Sequence, residues 1–163
     1  MMNNKKLVLI ALSFGAGKNH GQSNYYIAKN LAEQMFVHQC AGIAQWEVHD
    51  LVKKHFSDRI EELPLFSIQA DDKYFDSFAV LQKADDIVTK EEFNSISYIG
   101  HHAHLWRVRR VALKFGMPQN HDLELKWFVP YDEESTQWWT RSWWQFWPRE
   151  ILVIIVWSLV GRM

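Results

Sequence analysis

The stretch SISYIGHHAHLWRVRR, from Ser95 to Arg110, decides the fold. Its first five residues are β-prone and end at Gly100, and a helical pattern follows at once. The apolar face of that pattern recurs at helical spacing in Leu105, Val108, Val111, Ala112 and Phe115. Gly116 and Pro118 are typical signals for the end of a helix. A strand followed directly by a helix is the repeating unit of a parallel sheet.

Three histidines, His101, His102 and His104, follow this strand. The carboxyl ends of parallel strands are where open α/β sheets bind ligands. We predict that His104, at the helix start, faces a ligand as a neutral base or hydrogen-bond partner. Arg107 lies one turn further on and would stabilise negative charge with its two-pronged guanidinium. His102 is predicted to bind the ligand, and the alternative is that these histidines make structural hydrogen bonds.

The histidine cluster does not predict a metal site. His102 and His104 have a spacing that two metal ligands can share. A two-histidine hydrolase motif would need an acidic residue where Trp106 stands, and no cysteine lies nearby.

Further patterns extend the alternation of strands and helices along the chain. Apolar runs predict strands at 7–13, 42–48 and 123–129. Helices are predicted from Ser23, as the capping residue, to about Phe36, over a short segment ending at Phe56, and from Asp71 or Asp72 to about Val88. The segment 57–70 shows no clear period. We therefore expect an α/β fold, a three-layer α/β/α, Rossmann-like, doubly wound and mostly parallel sheet, in one domain over residues 1–163.

A glycine-containing loop follows the first predicted strand. Strict phosphate-binding motifs fail because His20, Leu12 and Asn19 occupy required positions. The loop still lies at the ligand-binding edge of the sheet, and its predicted cofactor-binding residues are Gly15, Gly17, Gly21 and Ser23.

Glu47 ends the second predicted strand, where an acidic residue meets ribose hydroxyls in Rossmann-like sheets. It is predicted as a ligand-binding residue or as a general acid or base. The alternatives are a salt bridge or an acidic residue that stabilises a helix N-terminus.

The C-terminal region is aromatic and then apolar. The segment 137–149, QWWTRSWWQFWPR, predicts an aromatic loop, with Pro148 opening a last helix. The β-branched residues of 151–156 leave a strand as the alternative. A helix over 151–160 covers ~15 Å, whereas a bilayer core is ~30 Å thick, so no transmembrane span is expected. Burial against the sheet is favoured over a homodimer interface or a membrane-surface contact.

Composition limits the class of partner. The net charge of the 163 residues is −1, which argues against nucleic-acid binding by bulk attraction even though Arg141 and Arg149 interleave with the tryptophans. Cys40 is the only cysteine, so no intramolecular disulfide forms, and a reducing cytoplasmic location fits.

The chain resembles the YdcF/SanA-like family, in a short, soluble branch of it. The resemblance rests on His104-Leu105-Trp106-Arg107 after a strand, on Pro148-Arg149-Glu150 before an apolar run, and on the tract 130–141. It implies a bacterial three-layer fold with a pocket at the carboxyl edge of the sheet and a nucleotide-like or S-adenosylmethionine-like ligand. The residues carried over are His104, Arg107, Arg149 and Glu150.

The chain also departs from that family pattern. Trp46-Glu47 stands where many members have a glycine-rich turn, and Asp76-Ser77 fits only part of a Ser/Thr/Asn block. Family members are mostly of undefined activity, with some links to envelope processes.

Three functional hypotheses follow. The first is a protein that binds a small anionic or nucleotide-like ligand. The second is a hydrolase or transferase that uses His104 as a base. The third is an interaction or envelope-associated protein that uses the tryptophan-rich C-terminal segment.

Overall fold

A computed structural model of the chain describes residues 6–15, 20–69, 76–119 and 128–162. These residues contain a parallel four-stranded sheet in the order β3-β2-β1-β4. Its strands are β1 (Leu7–Ala11), β2 (Ala41–Gln45), β3 (Leu65–Ile68) and β4 (Ser95–Ile99). β1 pairs with β2 on one side and with β4 on the other, in the register Val8 with Ala41 and Val8 with Ile96.

Helices cover both faces of the sheet and make three layers. α1 (Gln22–His38) and α2 (Trp46–His55) pack with Leu9 and Ala11 of β1. α3 (Ser77–Lys90) and α4 (His102–Lys114) pack on the opposite face, where Val8 and Ile10 point. Successive side chains of a strand point to opposite faces, so a strand that is covered on both sides is apolar throughout. The expected three-layer α/β/α, Rossmann-like fold is confirmed.

The last helix, α5 (Trp143–Leu159), links the two cores. Its Phe146 belongs to the cluster on the α1 and α2 side, and its Trp157 belongs to the cluster on the α3 and α4 side. Two 3₁₀ turns, Ser57–Arg59 and Trp138–Thr140, complete the described elements.

Two predicted strands end earlier than expected, and one strand was not predicted. The first predicted strand, 7–13, ends at Ala11. β2 ends at Gln45, and Trp46 to Val48 form the first turn of α2, so that Glu47 lies on a helix. β3 was not predicted, because four residues are too short to show a period. It lies at the sheet edge and pairs with β2 (Leu65 with Gly42).

The predicted start of α1 was also wrong. Gly21, and not Ser23, precedes the first helical turn. A distant carboxylate, that of Asp132, accepts the Gln22 backbone N–H at 3.1 Å. Ser23 is fully buried, and its hydroxyl donates to the Pro130 carbonyl at 2.6 Å.

α3 begins after Asp76, whose side chain accepts the Ala79 N–H at 2.9 Å. The predicted caps Asp71 and Asp72 lie outside the described residues, as does most of the predicted strand 123–129. Gly116 has φ +69° directly after α4, as its predicted role as a helix stop requires.

α5 differs from its prediction in start and in burial. It begins at Trp143, so Pro148 lies inside the helix and does not open it, and 151–156 are helical. One face of α5 packs against the rest of the protein. The opposite face is exposed, whereas burial against the sheet was expected. Within the described ranges, none of the helices has the length and apolar content that a bilayer crossing requires.

Candidate functional site

A cavity of about 390 Å³ opens at the carboxyl edge of the sheet. The segments after β1 and β2, the first turns of α2, α3 and α4, and the inner face of α5 all contribute to its lining. Its volume lies in the range of small-molecule sites, roughly 300–1,000 Å³. The predicted residues that the structure brings together here are Gly15, Glu47, His104, Arg107 and Arg149.

The floor of the cavity holds a buried ion pair. Arg107 Nε lies 2.6 Å from Glu150 Oε1, and the two side chains are 5% and 1% exposed. The Arg107 guanidinium also lies over the Trp157 ring, 4.7 Å from its centroid. Among the described residues, the second carboxylate oxygen of Glu150 has no hydrogen-bond partner. α4 and α5 are therefore joined through one charged contact directly beneath the cavity.

His104 connects this pair to the cavity. Its Nδ1 lies 2.9 Å from Arg107 Nη2, and its Nε2 lies 2.9 Å from Ser77 Oγ. A guanidinium can only donate, so Nδ1 accepts and the ring proton sits on Nε2, which donates to Ser77. Burial, the Arg107 charge and then His101 and Arg149 hold the pKa of His104 well below its ordinary value of 6.5. The imidazole is neutral, and both of its nitrogens are occupied.

Ser77 is the polar group that this network presents to the cavity. Its Oγ accepts from His104 Nε2 and from Arg107 Nη1, the latter at 3.4 Å. With both lone pairs occupied, the hydroxyl hydrogen is directed to a further acceptor. A ligand oxygen in the cavity would supply that acceptor.

The other two histidines have different roles. His101 is fully buried, stacks on Phe14 at 3.9 Å between ring centroids, and accepts the Ala103 N–H as the cap of α4. Burial lowers the pKa of His101 to about 3, so it is a neutral structural residue. His102 is exposed and lines a separate apolar groove with Trp106 and Trp147, so the structure does not bring it into the cavity.

Glu47 reaches the cavity from the first turn of α2. Burial raises the pKa of Glu47, and hydrogen bonds from its own backbone N–H, Ser13 and Gln45 partly offset that effect. Its Oε2 is buried, and no hydrogen-bond partner reaches it among the described residues. A hydrogen-bond donor on a ligand would satisfy this oxygen.

The loop after β1 is braced by side chains and does not expose its first amides. The Ser13 N–H donates to Gln45 Oε1 at 3.2 Å, and the Phe14 N–H donates to Asn24 Oδ1 at 2.7 Å. Gly15 has φ +82°, and a Cβ there would lie 2.8 Å from Thr140 Oγ1. Gly15 is thus required by close packing, and the described part of the loop does not form a cradle of free amides.

Gly21 and Ser23 lie outside the cavity lining. A Cβ on Gly21 would overlap the Asp132 carboxylate, and Ser23 bonds to Pro130. Both residues dock the segment around Asp132 onto α1, which is a structural role. Gly17 lies outside the described residues.

The roof of the cavity comes from the segment before α5 and from α5 itself. Arg149 lies over the Trp139 ring, 4.6 Å from its centroid, and both residues line the cavity. Thr140 and Phe146 continue this wall. The aromatic segment therefore does cover the sheet edge.

Sequence reasoning from spacing alone missed Ser77, Gln45 and Asn24. Ser77 lies 27 residues from His104, and the partly fitting Asp76-Ser77 block was the signal that could have found it. The side chains of Gln45 and Asn24 accept hydrogen bonds from backbone amides, and such contacts leave no pattern in a sequence.

No protein-family model matches the chain, and neither a curated protein nor a solved structure shows significant similarity to it. Across the described residues, no three His, Cys, Asp or Glu side chains are grouped to hold a metal ion. The fold and the cavity define the chain as an α/β/α protein with a polar pocket at the carboxyl edge of its sheet.

Proposed function

We propose that the protein binds a small anionic, nucleotide-like ligand in the edge cavity. The observation that carries this proposal is the buried network of Ser77, His104 and Arg107 in the floor of a cavity of about 390 Å³. A Ser77 hydroxyl held by two donors turns its own hydrogen toward a ligand acceptor such as a phosphate or carboxylate oxygen.

The electrostatics of the cavity favour an anion. The first turns of α2, α3 and α4 contribute residues to its lining, and each helix N-terminus carries a partial positive charge of about half a unit. The Arg107 charge is balanced by Glu150, and the Asp76 carboxylate lies 3.0 Å from Arg162. Arg149 adds positive charge at the roof, and burial raises the pKa of Glu47, which reduces the negative charge that this carboxyl group brings to the cavity.

Glu47 favours a ligand that also carries a donor. Its buried Oε2, without a protein partner among the described residues, suits a ribose hydroxyl or an amino group. Trp139, which carries the Arg149 guanidinium on one face of its ring, also lines the cavity, where an aromatic side chain can contact a planar ring. Anion, donor and planar ring together describe a nucleotide-like or S-adenosylmethionine-like molecule.

The same residues support a proposal of kinship with the YdcF/SanA-like family. The four residues carried over by that resemblance come from two separate helices: His104, Arg107 and Arg149 line the cavity, and Glu150 pairs with Arg107 beneath it. A shared site is the simplest reason for such a convergence.

Turnover with His104 as the base is the second candidate. The 2.9 Å contact between Ser77 Oγ and His104 Nε2 favours it, because a nucleophile and its base stand at that distance. The Arg107 guanidinium opposes it, because it occupies the Nδ1 lone pair and leaves the proton on Nε2. Glu47, with a raised pKa, is better prepared to exchange a proton. We therefore place binding ahead of catalysis.

A thermal-shift screen with nucleotides, S-adenosylmethionine and sugar phosphates tests the proposal. Saturable binding raises Tm progressively with ligand concentration. Arg149→Gln and Ser77→Ala should each weaken binding by roughly tenfold or more, the effect of losing one hydrogen bond to a charged ligand. Arg109→Gln, an exposed arginine of α4 outside the cavity lining, is the matched control and should bind as the wild type does.

Two results would reject the proposal. One is a screen in which none of the three ligand classes raises Tm. The other is unchanged affinity in both cavity variants, which would place the bound ligand elsewhere.

A further inference from the structure

α5 carries an apolar stripe that faces away from the protein. Trp144, Trp147, Ile151, Ile155 and Leu159 follow one another at intervals of three or four residues, and each is between 36% and 81% exposed. The buried residues Phe146, Glu150 and Trp157 occupy the opposite face. An exposed apolar stripe of this length marks an interaction surface.

Basic side chains of α4 lie along the same surface. The Arg110 guanidinium lies over the Trp106 ring, 5.1 Å from its centroid, and Trp106 shares a groove with Trp143 and Trp147 of α5. One turn further on, Lys114 Nζ donates to the Gly161 carbonyl, just beyond the end of α5, at 3.1 Å. Arg110 and Lys114 thus form a basic row that runs beside the stripe from its start to its end.

This surface is free of exposed carboxylates over both helices. α4 and α5 have one acidic residue between them, Glu150, and it is buried against Arg107. The whole chain has 19 acidic and 18 basic residues, so the separation of charge is local. A partner that complements this surface is therefore apolar where it meets the stripe and negatively charged where it meets Arg110 and Lys114.

We infer that the outer face of α5, with Arg110 and Lys114, docks on the surface of an anionic lipid bilayer. Tryptophan favours the boundary between headgroups and acyl chains, because its ring is apolar and its N–H is polar. α5 has 17 residues, so it is ~26 Å long, and it lies in the plane of the interface with its stripe among the acyl chains. The basic row contacts the headgroups.

A second copy of the chain fits this surface less well. A twofold contact places a surface against itself. If the twofold axis runs across α5, the cations of α4 meet the partner's cations, and if it runs along α5, they lie at the two rims of the contact; in either case no exposed carboxylate on these two helices pairs with them. Anionic headgroups supply that charge.

Flotation with vesicles tests the inference. The protein should float with vesicles of phosphatidylglycerol and phosphatidylcholine, and more weakly with phosphatidylcholine alone. Trp144→Gln combined with Ile155→Gln should lower partitioning at least about tenfold, because both changed side chains lose apolar contact. The control is Phe36→Gln with Val37→Gln, two similarly exposed apolar residues of α1. It should partition as the wild type does.

The basic row has its own variant pair. Arg110→Gln with Lys114→Gln should lower partitioning into phosphatidylglycerol vesicles about thirtyfold and remove most of its salt dependence. Lys53→Gln with Lys54→Gln, on α2, is the control for lost charge. Failure of the wild type to float, equal losses in the control variants, or a solution dimer that Trp144→Gln with Ile155→Gln dissociates would each overturn the inference.

Discussion

Arg107 is the residue on which the candidate site depends. It contacts Glu150, His104 and Ser77 at once, although it is 4% exposed. A buried charge is tolerated when it is paired and hydrogen-bonded, and it becomes strongly unfavourable when a partner is lost. The network therefore has a large effect on stability as well as on the shape of the cavity floor.

Glu150→Gln should lower the free energy of unfolding by ~3–5 kcal/mol, because the Arg107 charge stays buried without a counter-ion. Urea denaturation measures this loss. Glu33→Gln is the matched control: it removes the carboxylate from an exposed pair with Arg59 and should change stability by ~0–1 kcal/mol. Equal effects of the two substitutions would show that the buried pair has no special role.

Two buried histidines give stability a defined pH dependence. The pKa of His101 is lowered to about 3 and that of His104 lies well below 6.5, so both are neutral in the folded protein. Unfolded histidine takes up a proton below about 6.5. The stability that these two neutral histidines contribute is therefore fully present above pH 6.5. It is lost as the pH falls from there toward their folded-state pKa values.

Each such histidine should lower the free energy of unfolding by up to ~1.4 kcal/mol per pH unit in that window. His104→Asn should reduce the slope of the unfolding free energy against pH below pH 6.5 by the contribution of one proton. It should leave the slope above pH 6.5 unchanged. Chemical denaturation at a series of pH values measures both slopes. A variant whose slope equals that of the wild type would show that His104 is not held neutral.

Helix boundaries are set by contacts that differ in range. Gly21 precedes α1 at φ +80°, with Asp132 where its Cβ would be, whereas Gly116 follows α4 at φ +69° with open space around it. Gly116→Ala should destabilise by ~1–2 kcal/mol, the strain of a left-handed residue. Gly21→Ala should destabilise by more, because the alanine also displaces the Asp132 carboxylate from the Gln22 N–H.

Thermal denaturation of the two glycine variants tests this difference. Equal Tm losses would mean that the contact between Asp132 and the start of α1 adds nothing to stability.

Elements with local signals were predictable from the sequence. β4 and α4 carry a compact β-prone run, a clear helical stripe, and Gly116 at the stop, and each lies where predicted. β3 gave no signal because it is a short edge strand. The start of α1 depends on Asp132, 110 residues from Gln22, and no local rule could supply it. Pro148 suggested a helix start but lies inside α5.

At the scale of the whole molecule, the site is assembled from segments that are distant in sequence. The sequence alone predicts that His104 and Arg107 lie close together, because they are one turn apart on α4. Ser77 and Glu150 come from α3 and α5, and their contacts with α4 arise only from the folded arrangement of the layers. Ser77, which we propose contacts the ligand, is therefore a residue that sequence spacing alone does not reveal.

α5 contributes to two different surfaces of the molecule. Its inner face lines the cavity through Arg149 and Val153, and its outer face carries the apolar stripe. A helix that is apolar on nearly all sides gives no indication in the sequence of which side is covered.

The most direct measurement is a crystal structure of the protein with the ligand that stabilises it most. We predict new density within hydrogen-bond distance of Ser77 Oγ, with an anionic group toward Arg149 and a donor on Glu47 Oε2. Density at another surface, or a ligand that leaves Ser77 and Glu47 without contact, would contradict it.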